Sequence, residues 1–144
     1  MKVRVVLAVG MLVTSTAMGC TFASRNPPNS QTLQVPMDDV LKQNTITQNI
    51  TLAVGNTLTV KLGSNYSTPY RWKADTKIGD STIVKQTGHR YVHPTTDALG
   101  APGSEEWTFS VLKPGRTTIT TSYASIVGKD NKPVCTYTAN VTVQ

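Results

Sequence analysis

Past about residue 40 the chain alternates apolar and polar residues with period two, and each run is soon cut by a turn-forming residue. Successive side chains of a strand point to opposite faces, so this pattern calls for many half-buried strands and excludes long amphipathic helices. Ile50, Leu52 and Val54 alternate with Thr51 and Ala53; after Gly55-Asn56, Leu58, Val60 and Leu62 alternate with Thr59 and Lys61. These read as two strands joined at a tight turn. Trp107, Phe109 and Val111 form another inward set, stopped by Lys113-Pro114-Gly115-Arg116. Pro sets φ near −65° and Gly supplies positive φ, which makes a type II turn. Ile119, Thr121 and Tyr123 follow, then a loop over Gly128 to Pro133 and a closing strand that carries Cys135 on its apolar side. Shorter strands fit Tyr70–Ala74, Ile83–Gln86 and Arg90–Val92. Among 144 residues, 23 are threonine and only 15% are charged, a balance suited to pleated surfaces rather than helix bundles. The expected fold is all-β: a two-sheet antiparallel β-sandwich of seven to eight strands in a single domain.

The N-terminus reads differently. Lys2 and Arg4 precede the apolar run Val5–Val13, which is too short for a bilayer span. The segment ends in Ala17-Met18-Gly19-Cys20, so residues 1–19 fit a cleaved export signal. The ending is similar to a bacterial lipobox, whose Cys becomes the acylated first residue. That makes Cys20 the expected lipidation site and the membrane a partner through its lipid. Ala17 stands where Leu is usual, and simple cleavage with secretion stays open. The expected location is the bacterial envelope. Residues 20–40, polar and Pro-containing, read as a flexible tether, and 41–144 as the folded domain.

Chemistry is hard to find. Without Lys2 and Arg4, twelve basic residues face eight acidic ones, with no Lys/Arg cluster, so no concentrated positive face exists for nucleic acid. Two Cys cannot build a disulfide framework, two His with no Cys pair cannot close a structural zinc site, and no cofactor motif is present. His89 and His93 read as surface residues. Glu105 and Glu106 are adjacent, so a strand sends them to opposite faces and they cannot work as an acid/base pair. Cys135 reads as a small core residue rather than a nucleophile. No enzyme is expected. What a sandwich does offer is loops held at its ends by a stiff scaffold. Three stand out: Gly63 to Trp72, Ala98 to Ser104, and Ala124 to Pro133.

At these loops the sequence resembles the chagasin-type inhibitors of papain-like cysteine peptidases. Leu62-Gly-Ser-Asn65-Tyr-Ser-Thr68-Pro-Tyr70-Arg-Trp72 is similar to the family's Asn-Pro-Thr-Thr-Gly-Phe/Tyr motif and its following Trp. Leu99-Gly-Ala-Pro-Gly-Ser-Glu105 resembles its Gly-rich loop, and Leu52-Ala-Val-Gly55 and Leu112-Lys-Pro-Gly115 also fit, in the same order. The resemblance spans about residues 46 to 144 and implies that the sandwich is an immunoglobulin-like antiparallel β-sandwich. It implies a monomeric, reversible, non-covalent inhibitor whose three same-end loops enter the cleft of a papain-like cysteine peptidase. It assigns the peptidase-binding role to Asn65, Tyr66, Ser67, Thr68, Pro69 and Tyr70, to Gly100, Ala101, Pro102 and Gly103, and to Ser125, Ile126 and Val127. Three departures matter. Tyr66 replaces the motif's Pro, Pro69 stands where the family has Gly, and Ser125-Ile126-Val127 stands where it carries Arg-Pro-Trp. The last two favour the rival reading, a non-inhibitory immunoglobulin-like binding or structural module of the envelope. The retained Asn65, Thr68, Tyr70 and Trp72 oppose it.

Overall fold

The computed structural model describes residues 29–144, so the segment expected to be an export signal, and Cys20, lie outside the described residues. The chain runs β1 (Ser30–Val35), α1 (Met37–Lys42), β2 (Thr45–Leu52), β3 (Thr57–Ser64), β4 (Tyr70–Trp72), β5 (Lys77–Ile78), β6 (Val84–Val92), β7 (Gly103–Val111), β8 (Gly115–Ser125) and β9 (Cys135–Val143). Two sheets form an immunoglobulin-like sandwich. One has the order β1-β3-β7-β6, the other β2-β9-β8-β4, with β5 also pairing with β8. The inward sets meet between them: Leu58, Val60, Leu62, Trp107, Phe109 and Val111 from one sheet, Ile119, Tyr123, Tyr137, Ala139 and Val141 from the other, all buried. Thr121 shares that burial, donating from its hydroxyl to the Lys73 carbonyl at 3.0 Å.

Four details correct the sequence reading. First, the stretch expected as a tether is partly folded. Residues 30–35 pair with β3, Ser30 opposite Thr57 and Val35 opposite Leu62, and residues 37–42 form a helix where no helix was expected. Strand β1 was hidden because its alternation is mostly polar, only Leu33 and Val35 facing inward. Second, the pairings β1–β3 and β2–β9 are parallel, so the sandwich is not wholly antiparallel. Third, β2 and β3 are not a hairpin. The turn at Ala53–Asn56, with Gly55 at φ 88°, carries the chain from one sheet to the other. The Lys113-Pro114-Gly115 turn makes the same kind of crossing, with Gly115 at φ 147°. Fourth, the strands expected at Ile83–Gln86 and Arg90–Val92 are one strand, β6, which begins at Val84 and is interrupted by a bulge between Gln86 and Gly88. An extra residue there shifts the side-chain phase, which splits the sequence pattern. With β1 and β5 added, the described residues contain nine strands.

The crossings at Ala53–Asn56 and Lys113–Gly115 lie at one end of the sandwich, termed here the far pole. Both ends of the described chain lie there too: Ser30 faces Thr57, the first residue of β3, and Val143 faces Gly115. Cys135 is a free, fully buried thiol in β9, and burial pushes its pKa up.

Tyr137 is also fully buried, its hydroxyl donating to Gln48 Oε1 at 2.8 Å. Burial pushes its phenol above the ordinary value. A raised folded-state pKa favours the protonated native form, so this contribution is complete below about pH 10 and is lost as the pH climbs beyond it. The unfolding free energy should drop by about 1.4 kcal/mol per pH unit above pH 10 on account of this residue. Urea titrations at pH 9 to 11 on the protein and its Tyr137→Phe variant check it; equal slopes would refute the assignment.

Candidate functional site at the loop pole

The opposite end is the loop pole. Ser64 of β3 lies beside Gly103 of β7, Val92 of β6 beside Ser104, and Tyr70 of β4 beside Ser125 of β8. Register alone therefore gathers loop 1 (residues 65–69), loop 2 (93–102) and loop 3 (126–134) at one end. Loop 1 crosses between the sheets and touches both others. Asn65 Nδ2 donates to the Gly100 carbonyl at 3.0 Å, and the Ile126 N–H donates to the Pro69 carbonyl at 2.9 Å.

Loop 1 is held from inside. Asn65 Oδ1 accepts from the Ser67 N–H at 3.0 Å and the Ser67 hydroxyl at 2.6 Å, an Asx turn. The Thr68 hydroxyl donates back to the Asn65 carbonyl at 2.7 Å. Arg71 reaches under the loop to the carbonyls of Tyr66, Thr68 and Tyr70, with its guanidinium 3.9 Å from the Tyr66 ring centroid. No non-glycine among the described residues has positive φ, so the path through Pro69 needs no glycine. Pro69 is thus accommodated by a loop whose carbonyls are bound by Arg71 and by loop 3.

The sequence-derived site residues divide. Ser67, Pro69, Pro102, Ile126 and Val127 are exposed. Asn65, Thr68, Tyr70, Ala101 and Ser125 are partly covered. Gly100 takes φ 75°, which favours glycine. Gly103 and Ser125 are strand ends rather than loop residues. A Cβ on Gly103 would collide with the Val92 carbonyl. Tyr66 does not project forward. Its ring lies on Tyr91, centroids 3.7 Å apart and nearly parallel, and its hydroxyl donates to Glu105 Oε1 at 3.1 Å. Burial, and then the neighbouring Glu105 charge, hold its phenol above the ordinary pKa. In loop 3 the Ser125 hydroxyl donates to the Val127 carbonyl at 3.0 Å and accepts from the Val127 N–H at 3.2 Å, fixing the turn that presents Ile126.

The group beneath loop 1 escaped the sequence reading. Glu105 is 1% exposed, and both of its oxygens are used. Oε2 accepts from the Ser64 hydroxyl at 3.0 Å and the Trp72 N–H at 3.2 Å; Oε1 accepts from Tyr66 and lies 3.1 Å from His89 Nε2. A buried carboxylate is tolerable only when so satisfied. His89 is therefore not a plain surface residue: it is half-buried, its ring 5.0 Å from that of Trp107. His93 is exposed, as expected. Glu106 takes the other face, meeting Arg90 Nη2 at 2.7 Å and Lys61 Nζ at 3.8 Å.

Helix α1 also belongs to this pole. The Met37 backbone lies so close to Gly63 that a Cβ there would overlap the Met37 nitrogen, and the Gly63 carbonyl accepts from Trp72 Nε1 at 2.9 Å. A Gly63→Ala variant should lose about 1–3 kcal/mol, the cost of an overpacked contact. Urea denaturation measures it; an unchanged midpoint would mean that α1 moves aside freely.

Among the described residues, no group of three or more His, Cys, Asp or Glu could hold a metal ion, and no helix is long and apolar enough to cross a membrane. Of eight exposed large apolar side chains, Leu41, Tyr66, Leu99, Ile126, Val127 and Val134 all sit at the loop pole. Such a concentration marks an interaction surface.

Comparison with known proteins gives a consistent picture. The family described as chagasin family peptidase inhibitor I42 matches residues 51–141. No curated protein is close enough in sequence to match. Among solved structures the chain is similar to the cysteine protease inhibitor EhICP2 of Entamoeba histolytica, at 19% identity and TM-score 0.61, covering 81% of this chain and 96% of that one. It is also similar to PbICP-C, solved in complex with falcipain-2, at 23% identity and TM-score 0.57, covering 81% and 99%. Amebosin follows at 21% identity and TM-score 0.52, covering 81% and 99%.

Proposed function

The chain belongs to the chagasin family of peptidase inhibitors, and we propose that its loop pole is a reversible, non-covalent wedge for the active-site cleft of a papain-like cysteine peptidase. The observation that carries this reading is the bonding of loop 1 to both neighbouring loops, Asn65 to Gly100 and Pro69 to Ile126, beneath a rim of exposed apolar side chains. Such an enzyme attacks a carbonyl with an activated thiolate. A loop already bound to its own scaffold fills the cleft without offering a carbonyl in attack geometry. Ser67 and Thr68 lie nearest the catalytic thiol in this proposal, with loops 2 and 3 against the cleft walls. Two proteins of similar fold, one a cysteine protease inhibitor and one solved in complex with falcipain-2, agree with it.

The purified protein should inhibit papain competitively and recover as an intact chain after dissociation. Absence of inhibition at high micromolar protein would overturn the reading. In that case the second reading, a non-inhibitory binding module of the envelope, gains the argument; Ser125-Ile126-Val127 in place of an Arg and Trp anchor is the feature that favours it. Grafting Arg-Pro-Trp onto positions 125–127 should tighten inhibition about tenfold or more, since anchors of that type dominate interface energy. The same proposal has the chain exported as a monomer, through the signal at residues 1–19, and held to the bacterial envelope by lipid on Cys20 or secreted where Cys20 is not acylated. Loss of fatty-acid labelling in a Cys20→Ser variant tests the anchor.

A further inference from the structure

Helix α1 and strands β1 and β2 almost wholly precede the segment that matches the family, yet α1 stands beside the loops. We propose that α1 is a fourth contact element of the inhibitor, and that the groove between it and loop 1 receives an apolar side chain from the rim of the peptidase's cleft. The proposal rests on the wedge reading above and extends it to α1, which lies outside the three loops. The groove has a volume of about 540 Å³, within the range of ligand-binding clefts. Met37, Val40, Leu41, Tyr70, Tyr123 and Val134 give it a mainly apolar lining, with Asp38 as its one charged residue.

What covers the groove follows from what else borders it. Asn65 and Thr68 of loop 1 and Pro102 of loop 2 line it as well. A partner seated on those residues overhangs the groove and takes its apolar lining out of water. Leu41 is 71% exposed and Val134 45%, so two large side chains from different elements stand ready at its edge. The site is also stiff. Val40 is buried, the Met37 backbone rests on Gly63, and the Asn44 carbonyl after the helix accepts from the Thr136 N–H at 2.9 Å. A preformed apolar site loses little ordering entropy on binding. Leu41 therefore gains affinity rather than stability, the opposite of a core leucine.

The test compares inhibition constants for papain and a second papain-like peptidase with the purified protein and the variants Leu41→Asp, Val134→Asp and Leu112→Asp. Leu112 is an exposed apolar residue at the far pole and serves as the control. Both groove variants should weaken inhibition about tenfold or more on the hot-spot scale, with urea midpoints unchanged, while Leu112→Asp behaves as the parent. If neither groove variant weakens inhibition while a Thr68→Arg variant abolishes it, α1 is no contact element and the three-loop wedge stands. If the parent protein inhibits neither peptidase, the wedge reading itself falls and this proposal with it.

Discussion

A Glu105→Ala variant should lose about 3–5 kcal/mol of stability, the cost of removing one partner from a buried charged network. The deletion strands three donors at once: the Ser64 hydroxyl, the Trp72 N–H and the Tyr66 hydroxyl, and it leaves His89 without its carboxylate. Ser64 and Trp72 are buried, so water cannot replace the lost acceptor there without opening the sandwich. Small domains hold only about 5–15 kcal/mol in total, so the variant sits near the edge of folding. Glu105→Gln keeps the shape but turns an NH₂ group toward donors, and should fall between parent and alanine. Urea denaturation followed by tryptophan fluorescence reads both. At temperatures where the glutamine variant is still folded, its inhibition of papain should weaken further than its unfolded fraction explains, because Tyr66 and with it loop 1 are released. A loss below about 1 kcal/mol in the alanine variant would show that solvent reaches the site and that the network is not holding the loop.

Trp72→Ala should cost a similar amount, about 3–5 kcal/mol, as for other buried Trp truncations. The indole is 3% exposed and is wedged between aromatic neighbours, 5.0 Å from the Tyr123 ring and edge-on to Trp107 at 6.4 Å. Its Nε1–H holds the carbonyl of Gly63, the residue under α1. Trp72→Phe separates these contributions. It keeps most of the apolar volume and orphans the Gly63 carbonyl, so it should cost about 1–3 kcal/mol. If the phenylalanine variant is as stable as the parent, the indole N–H does not anchor β3 to β4.

Most of the core was readable because strand alternation is local: Leu58, Val60 and Leu62, or Trp107, Phe109 and Val111, declare their inward face within five residues. The loop pole was readable in the same way, from turn-forming residues between strands. What escaped was non-local. The partners of Glu105 lie 41, 39, 33 and 16 residues away, and only sheet register brings them together. Seen in sequence, Glu105 and Glu106 are equivalent neighbours; in the sandwich one is sealed inside and the other pairs with Arg90 and Lys61 at the surface. Strand β1 escaped for a different reason. It gains its place by parallel pairing to β3, a backbone interaction that leaves little mark on a mostly polar segment. The position of α1 turns on the missing Cβ of Gly63, whose partner Met37 lies 26 residues earlier in the chain.

The direction of β1 has a consequence for orientation in space. The strand starts at the far pole and climbs toward the loops, so any leash tied ahead of Asn29 pulls on the back of the sandwich. Eight residues lie between Cys20 and Asn29, and the nine steps between the two span at most about 30 Å when fully extended. Were Cys20 to carry the proposed lipid, the protein would face outward from the bilayer like a buoy, loop pole up. Enzymes arriving from the bulk would then meet the loops first, and those pressed flat against the lipid would meet only its underside.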